Sequence, residues 1–127
     1  MNWNKIIECV PNFSEGRDLK KIDKIVSPFR ARSGVKLLDY SNDEDHNRLV
    51  VTLVGEPAAL CDAVIEAIGI AVELIDLNHH TGQHPRMGAV DVVPFIPIKN
   101  VTMEEAIALS KEVGAKVAEL YLSLIHI

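Results

Sequence analysis

Val35-Lys36-Leu37-Leu38-Asp39-Tyr40-Ser41-Asn42-Asp43-Glu44-Asp45-His46-Asn47-Arg48-Leu49-Val50-Val51-Thr52-Leu53-Val54 sets two apolar runs on either side of a polar one. Val35 to Asp39 predicts a strand and Leu49 to Val54 a second, nearly all β-branched or aliphatic, with polar residues filling Ser41 to Asn47 between them. A run apolar on both faces implies an interior strand. Two strands in succession, with no helix between, break the strand-helix alternation of a parallel sheet.

Working outward, Ile6 to Val10 predicts a short strand, and Pro11-Asn12-Phe13-Ser14-Glu15-Gly16 a turn-rich loop that ends it. From Asp18 the apolar positions Leu19, Ile22, Ile25, Val26 and Phe29 recur at spacings of three and four, one stripe of a helix bracketed by Pro28 and Gly34. Downstream, Glu56-Pro57 opens a helix striped by Leu60, Val64, Ile68, Ala71, Val72 and Ile75, with proline where its missing donor costs nothing. Val90 to Ile98 predicts a strand, in which Pro94 and Pro97 point to an edge position or an early end. Thr102-Met103-Glu104-Glu105 fits a capping box, and Ala106, Leu109, Val113, Val117 and Leu120 stripe the last helix. The order is βαββαβα. That order gives an antiparallel or mixed sheet, and the expected class is α+β with a mixed β-sheet and helices packed on one face, a ferredoxin-like two-layer sandwich.

A chain of 127 residues suits one core, and 48% apolar with 24% charged residues is ordinary globular composition. A formal charge of −5 without a basic cluster lacks the footprint of a nucleic-acid binder. No stretch is apolar for the length of a membrane span, so a cytoplasmic protein is expected. Cys9 and Cys61 lie in apolar surroundings without CxxC spacing and are expected as buried small hydrophobes. The ending Tyr121-Leu122-Ser123-Leu124-Ile125-His126-Ile127 has no polar finish, and a chain cut inside its fold is expected. Residues 1–120 then form the domain and 121–127 a divergent or truncated tail. An unfinished sheet edge would favour pairing of two copies into a homodimer.

Chemistry concentrates in His79-His80-Thr81-Gly82-Gln83-His84-Pro85-Arg86-Met87-Gly88, which holds three of the five histidines. Its glycines and proline oppose a continuous helix and predict a loop feeding the following strand. His84 is a candidate general acid/base, since imidazole takes and returns protons near neutral pH. Arg48 and Arg86 can grip carboxylates in bidentate fashion. Asn12 lies in a segment at the carboxyl end of a strand, a usual place for ligand contacts. Asp43, Asp45 and His46 form a second polar cluster, which also reads as a solvated hairpin loop. His79, His80 and His84 offer a zinc triad, but no HExxH or HxH pattern accompanies them, and no metal is expected.

Four stretches, Glu8 to Gly16 (ECVPNFSEG), Leu37-Leu38-Asp39, Asp45-His46-Asn47-Arg48 and Gly82 to Pro97 (GQHPRMGAVDVVPFIP), closely resemble the glutamate formimidoyltransferase family, specifically the N-terminal subdomain of the formiminotransferase domain. The resemblance runs from about Ile6 to Leu120. It implies transfer of a formimidoyl group from N-formimidoyl-L-glutamate to tetrahydrofolate as co-substrate, in histidine degradation, with the family's active-site histidine at His84. It also implies a second subdomain, with folate held between two sheets and His84 exposed on the side away from the helices. Arg86, Arg48, Asn12 and Asp39 are then candidates for substrate binding. Gln83 stands where many members have glutamate, and Ser41 where some have an acid. Two rival readings are a metal-dependent formimidoylglutamate hydrolase at His79, His80 and His84, and a non-enzymatic ferredoxin-like interaction module.

Overall fold

A computed structural model describes residues 3–30, 32–74 and 95–125, with 120–125 as backbone alone. Its elements are β1 (Ile6–Cys9), β2 (Asn12–Phe13), α1 (Leu19–Val26), a 3-10 turn (Ser27–Phe29), β3 (Val35–Asp43), β4 (Arg48–Gly55), α2 (Pro57–Leu74), β5 (Phe95–Lys99) and α3 (Met103–Ile125). The expected α+β class and element order hold. One addition is β2: Pro11 cannot donate to a ladder, so β1 stops, but the Pro11 carbonyl accepts from Val51 N at 3.1 Å and pairing with β4 resumes at Asn12. The loop expected over Pro11–Gly16 is therefore partly strand.

β4 is the centre of the sheet, with β3 along one side and β1 followed by β2 along the other, and β5 lies outside β1. Every strand pair among the described residues is antiparallel, so the mixed option is not realised. The reason is topological: β1-α1-β3 and β4-α2-β5 are each parallel crossovers, but each leaves a gap that a strand of the other fills. β5 is the outer strand, the edge position that Pro97 calls for.

Alternation divides the sheet. Leu49, Val51 and Leu53 of β4, Ile7 and Cys9 of β1, Phe13 and Phe95 face a core shared with Ile22, Ile25, Val26 and Phe29 and with Leu60, Ala63, Val64, Ala67, Ile68 and Ala71 of α2. α2 packs between α1 and α3 and touches β1, β3 and β4, which makes one helical layer over one sheet face. Leu19, expected in the α1 stripe, is instead 67% exposed, because coverage of that stripe begins only at Ile22. Asp18 caps α1 by accepting from Lys20 N and Lys21 N. The capping box forms as read: Glu105 N donates to Thr102 Oγ1 at 3.1 Å and Thr102 N to Glu105 Oε1 at 3.3 Å.

Both cysteines are buried, as expected. Burial, reinforced by Cys61 and Glu8, pushes the Cys9 thiol far above its ordinary range, and burial, then Glu112 and Asp62, raises Cys61 to about 11. Both thiols should therefore resist a thiol-specific reagent at pH 8 in the folded chain and react in denaturant. Rapid labelling of either without denaturant would contradict their placement. The linkage sign follows: a pKa raised by folding stabilises below the ordinary thiol value of about 8.5 and is lost as pH rises through the folded value, so stability should decline on the alkaline side.

Candidate functional site

The sheet face away from the helices is assembled by register. Along β4 it carries Arg48, Val50, Thr52 and Val54, the residues alternating with the buried Leu49, Val51 and Leu53. Opposite them stand Asp43, Ser41, Asp39 and Lys36 of β3, with Asn12 of β2 beside Val50 and Glu8 of β1 beside Val54. Ile96 of β5 extends the Glu8 row and is 41% exposed. Three sequence-predicted residues from three separate stretches, Asn12, Asp39 and Arg48, thus share one face.

Asp39 reaches that face only because β3 is irregular. Leu37 pairs with Leu53 and Asp39 with Thr52, which leaves Leu38 without a partner. In an unbroken ladder Asp39 would oppose Val51 and point into the core. One extra residue reverses the side to which every later side chain points. Leu38, left out of the pairing, is 49% exposed.

By strand geometry, Asn12 is about 8 Å from Arg48, one row along and one strand across, and Asp39 about 14 Å from it. Arg48 is exposed, and among the described residues its guanidinium has no ion-pair partner. Asp43, across the ladder from it, is engaged elsewhere: its Oδ1 accepts from Asp45 N at 3.0 Å and His46 N at 3.3 Å, and its Oδ2 lies 2.6 Å from His46 Nδ1. The His46 contacts hold the Asp43 carboxyl below the usual carboxylate range. The polar cluster at Asp43, Asp45 and His46 forms an exposed hairpin turn whose side chains bond to one another. Asn12 Nδ2 donates weakly to Val10 O at 3.4 Å, which orients its amide at the strand break.

The loop after β2 braces this end of the sheet. Gly16 N donates to Asn47 Oδ1 at 2.8 Å, Asn42 Nδ2 to Gly16 O at 3.1 Å, and Arg17 Nε to Glu44 O at 2.8 Å. Glu15, 7% exposed, accepts from Arg17 N at 3.2 Å and Asp18 N at 3.0 Å, and Lys21 Nζ lies 3.9 Å from it. Sequence reasoning missed Glu15, Gly16 and Asn47 as supporting groups. The one local signal was the pairing of a glycine in one turn with an asparagine in another, and nothing in the chain says that those turns meet.

His84 and Arg86, with His79 and His80, lie outside the described residues. Among the described residues no group of three or more histidine, cysteine or acidic side chains is arranged to hold a metal ion, and no helix is long and apolar enough to cross a membrane. Among the described residues, the helical layer holds a concavity of about 310 Å³ bounded by Pro28, Arg32 and Glu66, and another of about 240 Å³ between α2 and α3. Topology adds one relation. Phe95 pairs with Cys9, which itself pairs with Leu53, so β5 begins in the row of Leu53, further along β4 than Asn12 and Arg48.

Residues 6–125 match the family described as formiminotransferase domain, N-terminal subdomain. The chain is 50% identical over 116 residues to a formimidoyltransferase-cyclodeaminase of Dictyostelium discoideum, covering 91% of this chain and 22% of that protein. It is 48% identical over 113 residues to a glutamate formimidoyltransferase of Streptococcus pyogenes, covering 89% and 38%. It is 43% identical over 116 residues to the formimidoyltransferase-cyclodeaminase of Mus musculus, covering 91% and 21%. The chain therefore spans between 21% and 38% of the length of these relatives.

Proposed function

The chain belongs to the family of formiminotransferase N-terminal subdomains, and on that premise we propose that it supplies half of the active site of a glutamate formimidoyltransferase. The reaction is transfer of the formimidoyl group from N-formimidoyl-L-glutamate to tetrahydrofolate, the co-substrate. The observation that carries the reading is the convergence of Asn12, Asp39 and Arg48, from three stretches of the family resemblance, on one open sheet face.

His84 is the acid/base. The folate nitrogen attacks the amidine carbon and gives up its proton to the imidazole; the carbon's bond to the glutamate nitrogen then breaks as that nitrogen takes the proton back. One imidazole near neutral pKa serves both steps and ends the cycle unchanged. Arg48 and Arg86 hold carboxylates of glutamate or of the folate tail, and the lack of a described ion-pair partner for Arg48 suits that task. Asn12 and Asp39 orient the reacting amidine. The partner is a second subdomain facing the open sheet, the assembly is a homodimer, and the setting is cytoplasmic; no metal takes part.

Formimidoyl transfer should be assayed for the 127-residue chain alone and for the chain joined to a family second subdomain. Activity only in the joined form is expected. Activity in neither form, with folate failing to bind, would overturn the reading in favour of an interaction module.

A further inference from the structure

We infer that Asn47 is a positioning residue that sets Arg48 on the open face, acting through Gly16. This rests on the reading of Arg48 as a carboxylate-binding group. Arg48 is the first residue of β4 and directly follows the hairpin turn, the place where a strand is least restrained by its own ladder. Two neighbours remove that freedom. Asn47 holds a left-handed backbone, φ 51°, which turns the chain into β4. Its side-chain oxygen is then fixed by the Gly16 amide at 2.8 Å.

Gly16 in turn lies directly on the backbone of the Asp43–Arg48 rung. A Cβ placed on Gly16 would fall 2.3 Å from Asp43 O, 2.5 Å from Arg48 N and 2.7 Å from Arg48 O. Its carbonyl is held by Asn42, whose partner in the ladder is the core-facing Leu49, so Gly16 covers the rung from the helical side. The Arg48 side chain is left the open side alone. Asparagine meets two requirements at position 47 together: it tolerates left-handed φ, and it presents an acceptor to Gly16. Glycine meets only the first. Aspartate meets both, which allows the turn and the tie to be separated by experiment.

The test uses the two-subdomain polypeptide and N-formimidoyl-L-glutamate. Asn47→Gly should raise KM for that substrate roughly tenfold, equivalent to about 1.4 kcal/mol of binding, with kcat within about twofold. Asn47→Asp should restore KM to within about threefold of the parent. In the chain itself, nitrogen relaxation should show the Arg48 amide of Asn47→Gly falling well below the rigid order parameter of about 0.85. If Arg48→Ala raises KM but Asn47→Gly does not, the positioning role is overturned while the reading of Arg48 stands. If Arg48→Ala leaves KM unchanged, that reading fails and the inference goes with it. A KM raised in Asn47→Gly but not restored by Asn47→Asp, or an Arg48 amide still rigid in Asn47→Gly, would also overturn it.

Discussion

His84→Ala in the two-subdomain enzyme is expected to lose on the order of a hundredfold or more in turnover, at a nearly unchanged melting temperature. The proposed chemistry needs a proton removed from a folate nitrogen and returned to a glutamate nitrogen within one site. Water can do neither at the right moment without its own barrier, and alanine offers no lone pair. Added imidazole should recover part of the rate if the space left by the ring admits it. Turnover within about threefold of the parent would remove His84 from the chemistry and return it to the role of a loop histidine.

Gly16→Ala is expected to be the most destabilising small change in the described residues, on the order of 3 kcal/mol, a large part of a typical domain's stability. The new methyl would meet three backbone atoms of β3 and β4 at 2.3 to 2.7 Å, and backbone in a paired ladder cannot yield as the tip of a side chain can. Displacing Gly16 would also strain its bonds to Asn42 and Asn47. A matched control lies in α3: Gly114 has nothing within 4 Å of an added Cβ, so Gly114→Ala should stabilise the helix by about 0.5–1 kcal/mol. Denaturant midpoints of the two variants should move in opposite directions. A Gly16→Ala chain as stable as its parent would mean that the loop and the hairpin do not meet as described.

The opposite signs expected of one chemical change at two glycines show where local reasoning stops. Much that depends on a few consecutive residues could be read from the chain: the α2 stripe from Leu60 to Val72, the Thr102–Glu105 capping box, Pro57 opening α2, the edge role of Pro97, the apolar setting of Cys9 and Cys61, and the ββ step that excludes an all-parallel sheet. These follow from side-chain period, from caps and from proline's missing donor, which operate within a turn or two. The motifs around Asn12, Asp39, Arg48 and His84 were legible as well, but only as residue types with suitable chemistry.

Which side of the sheet those residues take was decided by pairing between distant segments. Asp39 belongs to the open face because Leu38 is skipped in the ladder with β4, and a simple two-residue alternation from Val35 would send it into the core. Asn12 joins that face because pairing resumes after Pro11, with Val51 supplying the hydrogen bond that holds the break together. Arg48 is held there by a glycine 32 positions earlier in the chain, whose lack of a side chain has meaning only once the hairpin lies against it. Elements and the chemical groups on offer follow from the order of residues, because they depend on short-range sterics and hydrogen bonding. Tertiary structure alone decided which groups meet, because register and close backbone approach are properties of two strands at once and are written in neither.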